Sequence, residues 1–254
     1  MTEPLISVIM PAYNADRYIA EAVDSVRMQT YKNWELLVLD DGSADQSCQI
    51  VQALAKEDSR IRLIKNEKNM GVARTRNRGF DLCKGSYVAL LDADDLWHPT
   101  KLEKQLALLE QTGAQLAYSS YAIVNSQGQK VKGDYLVPET VTFRELLKEN
   151  VIGCSAVLLR SELLQKHRFQ TDFFHEDYVL WLQLLQEGYR AVGCRDVLLS
   201  WRFVENSRSF NKKKAAKNRW RIYRDYLHLP LHRSLWAFGH YALRSLRKYR
   251  SKAK

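Results

Sequence analysis

Four short runs in the first third of the chain are almost unbroken in apolar side chains: Leu5–Met10, Trp34–Leu39, Ile61–Ile64 and Tyr87–Leu91. Longer amphipathic stretches separate them, predicting helices near 16–29, 45–57 and 72–82. A strand with one wet face alternates apolar and polar residues, whereas an unbroken apolar strand is covered on both faces. Short covered strands alternating with helices predict an α/β fold, Rossmann-like, with a mainly parallel sheet flanked by helices. Ligands of such sheets collect beyond the carboxyl ends of the strands. Here those ends are polar: Pro11-Ala12-Tyr13-Asn14, Asp40-Asp41-Gly42-Ser43 and Asp92-Ala93-Asp94-Asp95.

Beyond residue 98 the regularity drops. The pattern predicts a helix near 99–112, a strand near 115–124, a turn at Gln127-Gly128, a short helix opened by a Thr142/Glu145 capping box, a strand near 154–160 and a helix near 177–187. Ser43 or Asp45 is expected to cap the second helix, and Gly71 to mark a sharp entry into the third, where free amides face an anion. With 254 residues, no internal repeat and no Gly/Ser-rich linker, residues 1–205 read as one domain.

Asp92 and Asp94 follow a buried run with a small residue between them, which puts two carboxylates on one side of a strand end. That arrangement suits Mg2+ or Mn2+, hard cations that favour carboxylate oxygen and keep a phosphate as partner. Unpaired carboxylates there are costly to bury, although a turn-forming role is the plain alternative. Asp-Gly is likewise a common turn dipeptide, so Asp40-Asp41-Gly42-Ser43 reads either as a turn or as a nucleotide contact.

The residues Val8–Asn14, Asp40–Ser43, Asn69-Met70-Gly71 with Ala73-Arg74 and Arg76-Asn77, Asp92–Asp95, and His175-Glu176-Asp177 come in one order. In that order and approximate spacing the chain resembles glycosyltransferase family 2, over about residues 4–205. The resemblance implies the GT-A fold and an inverting transfer from a nucleotide-sugar, a UDP-sugar by expectation. It implies that Asp41, with Asp40 nearby, reads the base and ribose, that Pro11, Tyr13 and Asn14 border the nucleotide, and that Asn69, Gly71 and Ala93 lie along the donor; Arg74 either reaches the donor or is an exposed helical arginine. Asp94 would hold the divalent metal that bridges the donor diphosphate, with Asp92 against ribose or metal water. Asp177 would be the general base, its alternative being a cap on the helix that begins at Tyr178. Ser155, Glu176 and His175 are expected at the acceptor or behind it. His98 has a structural role as its alternative, and Arg202 and Arg208 flank a polar loop that could close over diphosphate. Relatives of this type commonly build teichuronic acid, capsule or lipopolysaccharide, so a glycan or lipid-linked acceptor is expected.

The net charge of +10 is unevenly placed. Residues 1–205 hold 24 basic and 28 acidic residues, whereas 206–254 hold 15 basic residues and one acid, Asp225. In this helical basic tail Leu231, Leu235, Phe238, Ala242, Leu246 and Tyr249 recur at helical spacing, opposite Arg233, His240, Arg244, Arg247 and Lys248. A helix-compatible segment, 212–228, precedes Pro230. Such a tail suits an anionic membrane surface over 212–254, or else docks its stripe on the domain. Basic charge with interleaved aromatics also serves nucleic acid, yet no nucleic-acid motif accompanies it and none is expected as partner.

No run approaches the roughly 20 apolar residues of a membrane span, and the N-terminus lacks a basic region and cleavage site. The four cysteines are too dispersed for a zinc pattern or a disulfide framework. The expected location is cytoplasmic, peripheral at the inner face of the cell membrane. Two other function classes stay open from residues alone: a nucleotidyltransferase using the same carboxylate-held metal, disfavoured by the absence of a Gly-rich basic phosphate loop, and a non-catalytic nucleotide- or membrane-binding module.

Overall fold

The computed structural model describes residues 3–203 and 212–250, with 212–213 and 244–250 described through their backbone. Arg208 lies outside the described residues. The expected parallel layer is present: β1 (Ile6–Ala12), β2 (Trp34–Asp40), β3 (Ile61–Lys65) and β4 (Tyr87–Leu90) stand in the order β3-β2-β1-β4, all parallel. Helices α1 (Ile19–Arg27), α2 (Ser47–Glu57) and α3 (Val72–Leu82) make the crossovers. Every residue of β2 is buried, as an unbroken apolar run requires. Helix α3 lies close on β1 because Gly79 has no Cβ: one placed there would stand 2.6 Å from Cγ2 of Ile9.

Two helix starts differ from expectation. The first helix opens at Ile19, and the second opens at Ser47 after Gln46, whose side chain makes no cap. Asp45 supplies part of the expected cap, its Oδ1 accepting the Ser47 N–H at 3.0 Å, whereas Ser43 is drawn to the neighbouring loop. Ser43 Oγ accepts the Asn14 N–H at 2.9 Å and Asp45 Oδ2 accepts the Asp16 N–H at 3.0 Å, so both tie the loop after β2 to the loop after β1.

The second half extends the sheet with β5 (Leu96–Trp97), β6 (Leu116–Val124), β7 (Thr140–Val141), β8 (Leu158–Arg160) and β9 (Ala191–Arg202). Strand β8 joins β4 and β6 antiparallel, and β6 runs parallel to β9. Helices α4 (Lys101–Thr112), α5 (Phe143–Lys148), α6 (Leu163–Lys166) and α7 (Glu176–Gln186) cover it. The capping box is present at α5, where Thr142 Oγ1 accepts the Glu145 N–H and Glu145 accepts the Thr142 N–H. The strand expected over 154–160 is shorter: Cys154–Ala156 is a 3-10 turn that delivers Ser155 to the end of β4.

Helices α8 (Lys212–Arg221) and α9 (Leu231–Arg250) flank a π-helical turn over Ile222–Tyr226. Packing does not break at residue 205. Ile222, Tyr223, Leu227, Leu229 and Ala237 belong to the core cluster of α5 and α7, and Tyr223 Oη donates to the Leu147 carbonyl at 2.5 Å. The expected stripe on α9 is split. Phe238 packs against the core, but the residues that α9 buries fully among its described side chains are Ser234 and Ala237, while Leu231 and Leu235 are more than half exposed; the side chains of Leu246 and Tyr249 lie outside the described residues. Small residues let the helix axis approach the core, which turns the bulky ones outward.

Candidate active site

The register decides where the site forms. Ala12 stands beside Asp40 and Ile9 beside Leu90, so the chain leaves β2 at Asp41 and β4 at Asp92 on either side of the Pro11–Asn14 turn. Strand β1 lies between neighbours reached in opposite directions, and a crevice opens at such a point. Asn14 adopts φ +48°, a left-handed conformation that asparagine tolerates. Its Oδ1 accepts the Ala44 N–H at 2.9 Å, which completes the lock between the two loops.

Asp41 is buried with both oxygens engaged. Oδ1 accepts from Asn66 Nδ2 and the Met70 N–H, both at 2.8 Å, and Oδ2 accepts the Gly71 N–H at 2.9 Å. Gly71 is held at φ +85°, where an L side chain would be strained. Asp41 thereby fixes the entry to α3, and Oδ2 retains a lone pair toward the cleft. Gly71, the N-cap of α3, has no side chain to cap it, and Val72, Ala73 and Arg74 line the cleft, where the amides of a first turn are donors to an anion.

The carboxylate turn after β4 is braced from two sides. The Asp92 N–H donates to Ser155 Oγ at 3.0 Å. Arg202 donates through its backbone N–H to Asp95 Oδ1 at 2.9 Å, through Nε to the Asp94 carbonyl at 2.8 Å and through Nη2 to Glu21 Oε2 at 2.7 Å. The Arg202 guanidinium is consumed in holding the turn, and the loop between Arg202 and Arg208 expected to close over diphosphate lies, beyond residue 203, outside the described residues. Burial and the charge of Asp92 push the Asp94 carboxyl up to about 6, offset in part by Arg202 and Arg76. Burial and the neighbouring carboxylates also push Asp95 well up.

Arg76, on α3, is the residue that joins the two halves of the site. It is 4% exposed, and its Nη2 donates to Asp92 Oδ1 at 2.5 Å while its Nη1 donates to Glu176 Oε1 at 2.8 Å. One guanidinium thus bridges the end of β4 and the start of α7. Asp177, in the first turn of α7, is half-buried and faces the same cleft. Burial pushes its carboxyl up, opposed by Arg76, the Tyr178 amide and Arg219. His175, not Asp177, occupies the capping position of α7, and its side chain makes no cap.

Of the residues expected from sequence, Pro11, Tyr13, Asn14, Asp41, Asn69, Gly71, Arg74, Asp92, Ala93, Asp94, Ser155, His175, Glu176 and Asp177 line one cleft of about 1640 Å3. That exceeds the roughly 300–1,000 Å3 typical of a single small ligand and leaves room for two substrates. Asp40 and His98 are elsewhere: Asp40 Oδ2 accepts the Ser43 N–H at 3.3 Å beneath the loop, and His98 pairs with Thr100. Sequence reasoning assigned no role to Arg76 or to the aromatic walls, Phe173 and Phe174 on one side and Tyr121, Trp201 and Phe203 on the other.

A divalent cation fits the donor set in one way. Among the described residues no three His, Cys, Asp or Glu side chains converge as a protein-only metal cage. Asp94, a carboxylate of raised proton affinity in an acid-rich turn, with Asp92 beside it, suits Mg2+ or Mn2+ that keeps water and takes further ligands from a phosphate.

Comparison with known proteins agrees with this geometry. The model of glycosyl transferase family 2 matches residues 7–168. A Bacillus subtilis (strain 168) protein named for teichuronic acid biosynthesis, TuaG, is 36% identical over 97% of this chain and 98% of its own length. The Escherichia coli UDP-Glc:alpha-D-GlcNAc-diphosphoundecaprenol beta-1,3-glucosyltransferase WfgD is 38% identical over 92% of this chain and 90% of its own. Among solved structures, S. aureus TarS 1–349 in complex with UDP-GlcNAc matches with a TM-score of 0.75 at 19% identity, covering 93% of this chain and 71% of that one. The mannosyltransferase PcManGT from Pyrobaculum calidifontis, solved with GDP-Man and Mn2+, matches at 0.72 and 19% identity, over 95% and 74%. These structures speak for the fold, which is GT-A. The chain belongs to glycosyl transferase family 2 and is a glycosyltransferase.

Proposed function

We propose that this enzyme transfers a sugar from a UDP-linked donor to a hydroxyl of a lipid-linked or growing glycan in the assembly of a bacterial surface polysaccharide, with inversion at the anomeric carbon. One observation carries the reading: Arg76 occupies Asp92 and Glu176 and leaves two carboxylates of raised proton affinity, Asp94 and Asp177, in one cleft. The first suits a cation at the donor diphosphate and the second suits a base at the acceptor. The named substrates of WfgD, a UDP-sugar and a diphosphoundecaprenol-linked sugar, support the choice of donor and acceptor class.

In this mechanism the Asp41 loop and the amides opening α3 hold the nucleotide and its phosphates. Asp94, with Asp92 at its margin, would hold Mg2+ or Mn2+, which supplies neutralisation of the charge on the departing diphosphate. Asp177 takes the acceptor hydroxyl proton as that oxygen bonds to the anomeric carbon and the bond to the diphosphate oxygen breaks. Attack from the face opposite the leaving group turns an α-linked donor into a β-linkage. Arg76 is a positioning residue, since its two ion pairs fix the separation of the donor and acceptor halves.

The reading includes peripheral attachment at the cytoplasmic face of the membrane. No helix among the described residues is long and apolar enough to cross a bilayer. Helix α9 instead turns Leu231, Leu235, Trp236 and Leu243 outward, with Arg144 and Lys148 about 5 Å from the Trp236 ring. An exposed apolar face rimmed by cations suits an anionic leaflet.

The test incubates the protein with nucleotide-sugars, Mg2+ or Mn2+ and a prenyl-diphosphate-linked GlcNAc, and follows nucleoside diphosphate release and product configuration. UDP release with a β-linked product is expected. Pyrophosphate release would favour nucleotidyl transfer, and a product of retained configuration would overturn the inverting mechanism.

A further inference from the structure

Lys101, in the first turn of α4, is fully buried, and no carboxylate is paired to it among the described residues. Its Nζ donates to Gln105 Oε1 at 2.6 Å and to the Val157 carbonyl at 3.2 Å, and stands 4.1 Å from the centre of the Trp97 ring. Burial pushes the ammonium well below its ordinary value. A cation in a first turn also opposes the helix dipole. A methionine of similar length would fill the same space without either cost, so packing alone does not account for this side chain.

Its neighbours show what it does. Three consecutive carbonyls, running out of the Cys154–Ala156 turn, each accept from one side chain of β5 or α4. Trp97 Nε1 donates to the Ser155 carbonyl at 2.8 Å, Gln105 Nε2 to the Ala156 carbonyl at 2.7 Å, and Lys101 Nζ to the Val157 carbonyl. By holding Gln105 through Oε1, Lys101 also turns the amide nitrogen of Gln105 toward Ala156. A 3-10 turn of three residues has little stability of its own, and this one carries Ser155, whose Oγ accepts the Asp92 N–H at 3.0 Å. Trp97 follows Asp95 by two residues. The chain therefore leaves the carboxylate turn, builds β5 and the start of α4, and reaches back to grip the segment on which that turn rests. Trp97, Lys101 and Gln105 do not line the cleft, so whatever they do for the reaction passes through Ser155.

We infer that Lys101, with Gln105 and Trp97, positions the carboxylate turn for glycosyl transfer: the three side chains fix the Ser155–Val157 carbonyls, and through Ser155 they fix the Asp92 and Asp94 carboxylates on which cation affinity depends. All three are positioning residues, and the inference rests on the reading of Asp94 as a cation ligand.

The experiment uses the full chain with UDP bound and follows free Mn2+ by electron paramagnetic resonance; hydrogen exchange of the 92–95 amides is measured without metal. In Lys101→Met, Mn2+ affinity is expected to fall about tenfold and exchange over 92–95 to quicken, while UDP affinity without metal stays near that of the parent. Trp97→Phe removes one N–H and keeps a ring beside Lys101. It shows the same two changes to a smaller extent, and it keeps the test decisive if Lys101→Met does not fold. Both variants are compared with the parent well below their Tm, so a loss of stability alone leaves the Mn2+ affinity of the folded protein unmoved. Unchanged Mn2+ affinity in both variants overturns the inference. The cation reading fails separately: a parent chain that binds no Mn2+ with UDP present refutes it, and the clamp is then upheld by faster exchange at 92–95 in the variants and overturned by unchanged exchange.

Discussion

At the scale of single residues, the site is governed by which carboxylates have a cation and which lack one. Asp92 and Glu176 share Arg76, whereas Asp94 and Asp177 carry raised proton affinity through burial. Asp177→Asn keeps shape and removes the base, so transfer is expected to fall by about 10²–10⁴-fold while UDP binding, measured by calorimetry, stays within about twofold of the parent. Full transfer activity in that variant would eliminate the base assignment. A pH series tests Asp94. Its carboxyl is raised from 3.8 to about 6, so below that pH the free site is protonated and a cation must displace a proton. Mn2+ affinity in the presence of UDP should be flat above pH 6 and fall about tenfold per unit below it; a flat profile down to pH 4.5 would exclude Asp94 as ligand. Asp92 and Asp94 were legible in the residues because carboxylates after a buried strand are costly unless something uses them, whereas Asp177 and Glu176 were legible only through the family resemblance. Arg76 entered with that resemblance but without a role, since an arginine on a helix normally reads as solvated. A signal was present: Ala73, Arg76 and Phe80 are spaced by three and four, which puts the arginine on the buried stripe of α3.

Between elements, Arg76 couples α3, the end of β4 and the start of α7, so the donor and acceptor halves are fixed to each other through one side chain. Removing one partner of a buried ion pair leaves the others uncompensated and costs about 3–5 kcal/mol. Arg76→Met should therefore lower the unfolding free energy by about that amount in denaturant titration. Arg76→Met with Glu176→Gln should recover part of the loss, because a neutral amide replaces a stranded carboxylate. A double variant no more stable than the single one would show that the pair is not coupled. The parallel layer was readable because β1 to β4 are apolar runs of few alternatives. The second half was less so. Strand β6 finds its parallel partner β9 about 75 residues on, and the strand expected from 154 yields to a 3-10 turn because Ser155 is needed at Asp92. Pairings of that kind depend on tertiary partners and leave no local periodicity.

For the whole molecule, the division of charge into a mildly acidic first four-fifths and a strongly basic remainder is real in sequence, yet it is not a division of packing. Tyr223 is fully buried and donates to Leu147, as Tyr178 does to Leu146, so the basic segment closes the core over α5 and α7. The periodicity of α9 was legible but its orientation was not, since a stripe does not say which flank holds the small residues that pack. This orientation changes how membrane attachment must be tested. Ending the chain near residue 211 would strip Ile222, Tyr223, Leu227, Leu229 and Ala237 from the core; each large one contributes about 1.5–3 kcal/mol of burial, comparable in sum to the whole stability of a domain. The truncated protein is expected to aggregate or to bind vesicles through exposed core, whichever role the tail has. Leu235→Glu with Leu243→Glu avoids this difficulty, because both side chains are more than half exposed. The variant should keep the parental Tm within about 3 °C and lose most sedimentation with vesicles of anionic lipid, while UDP release with a water-soluble acceptor is retained. Undiminished sedimentation at an unchanged Tm would remove α9 as the attachment face.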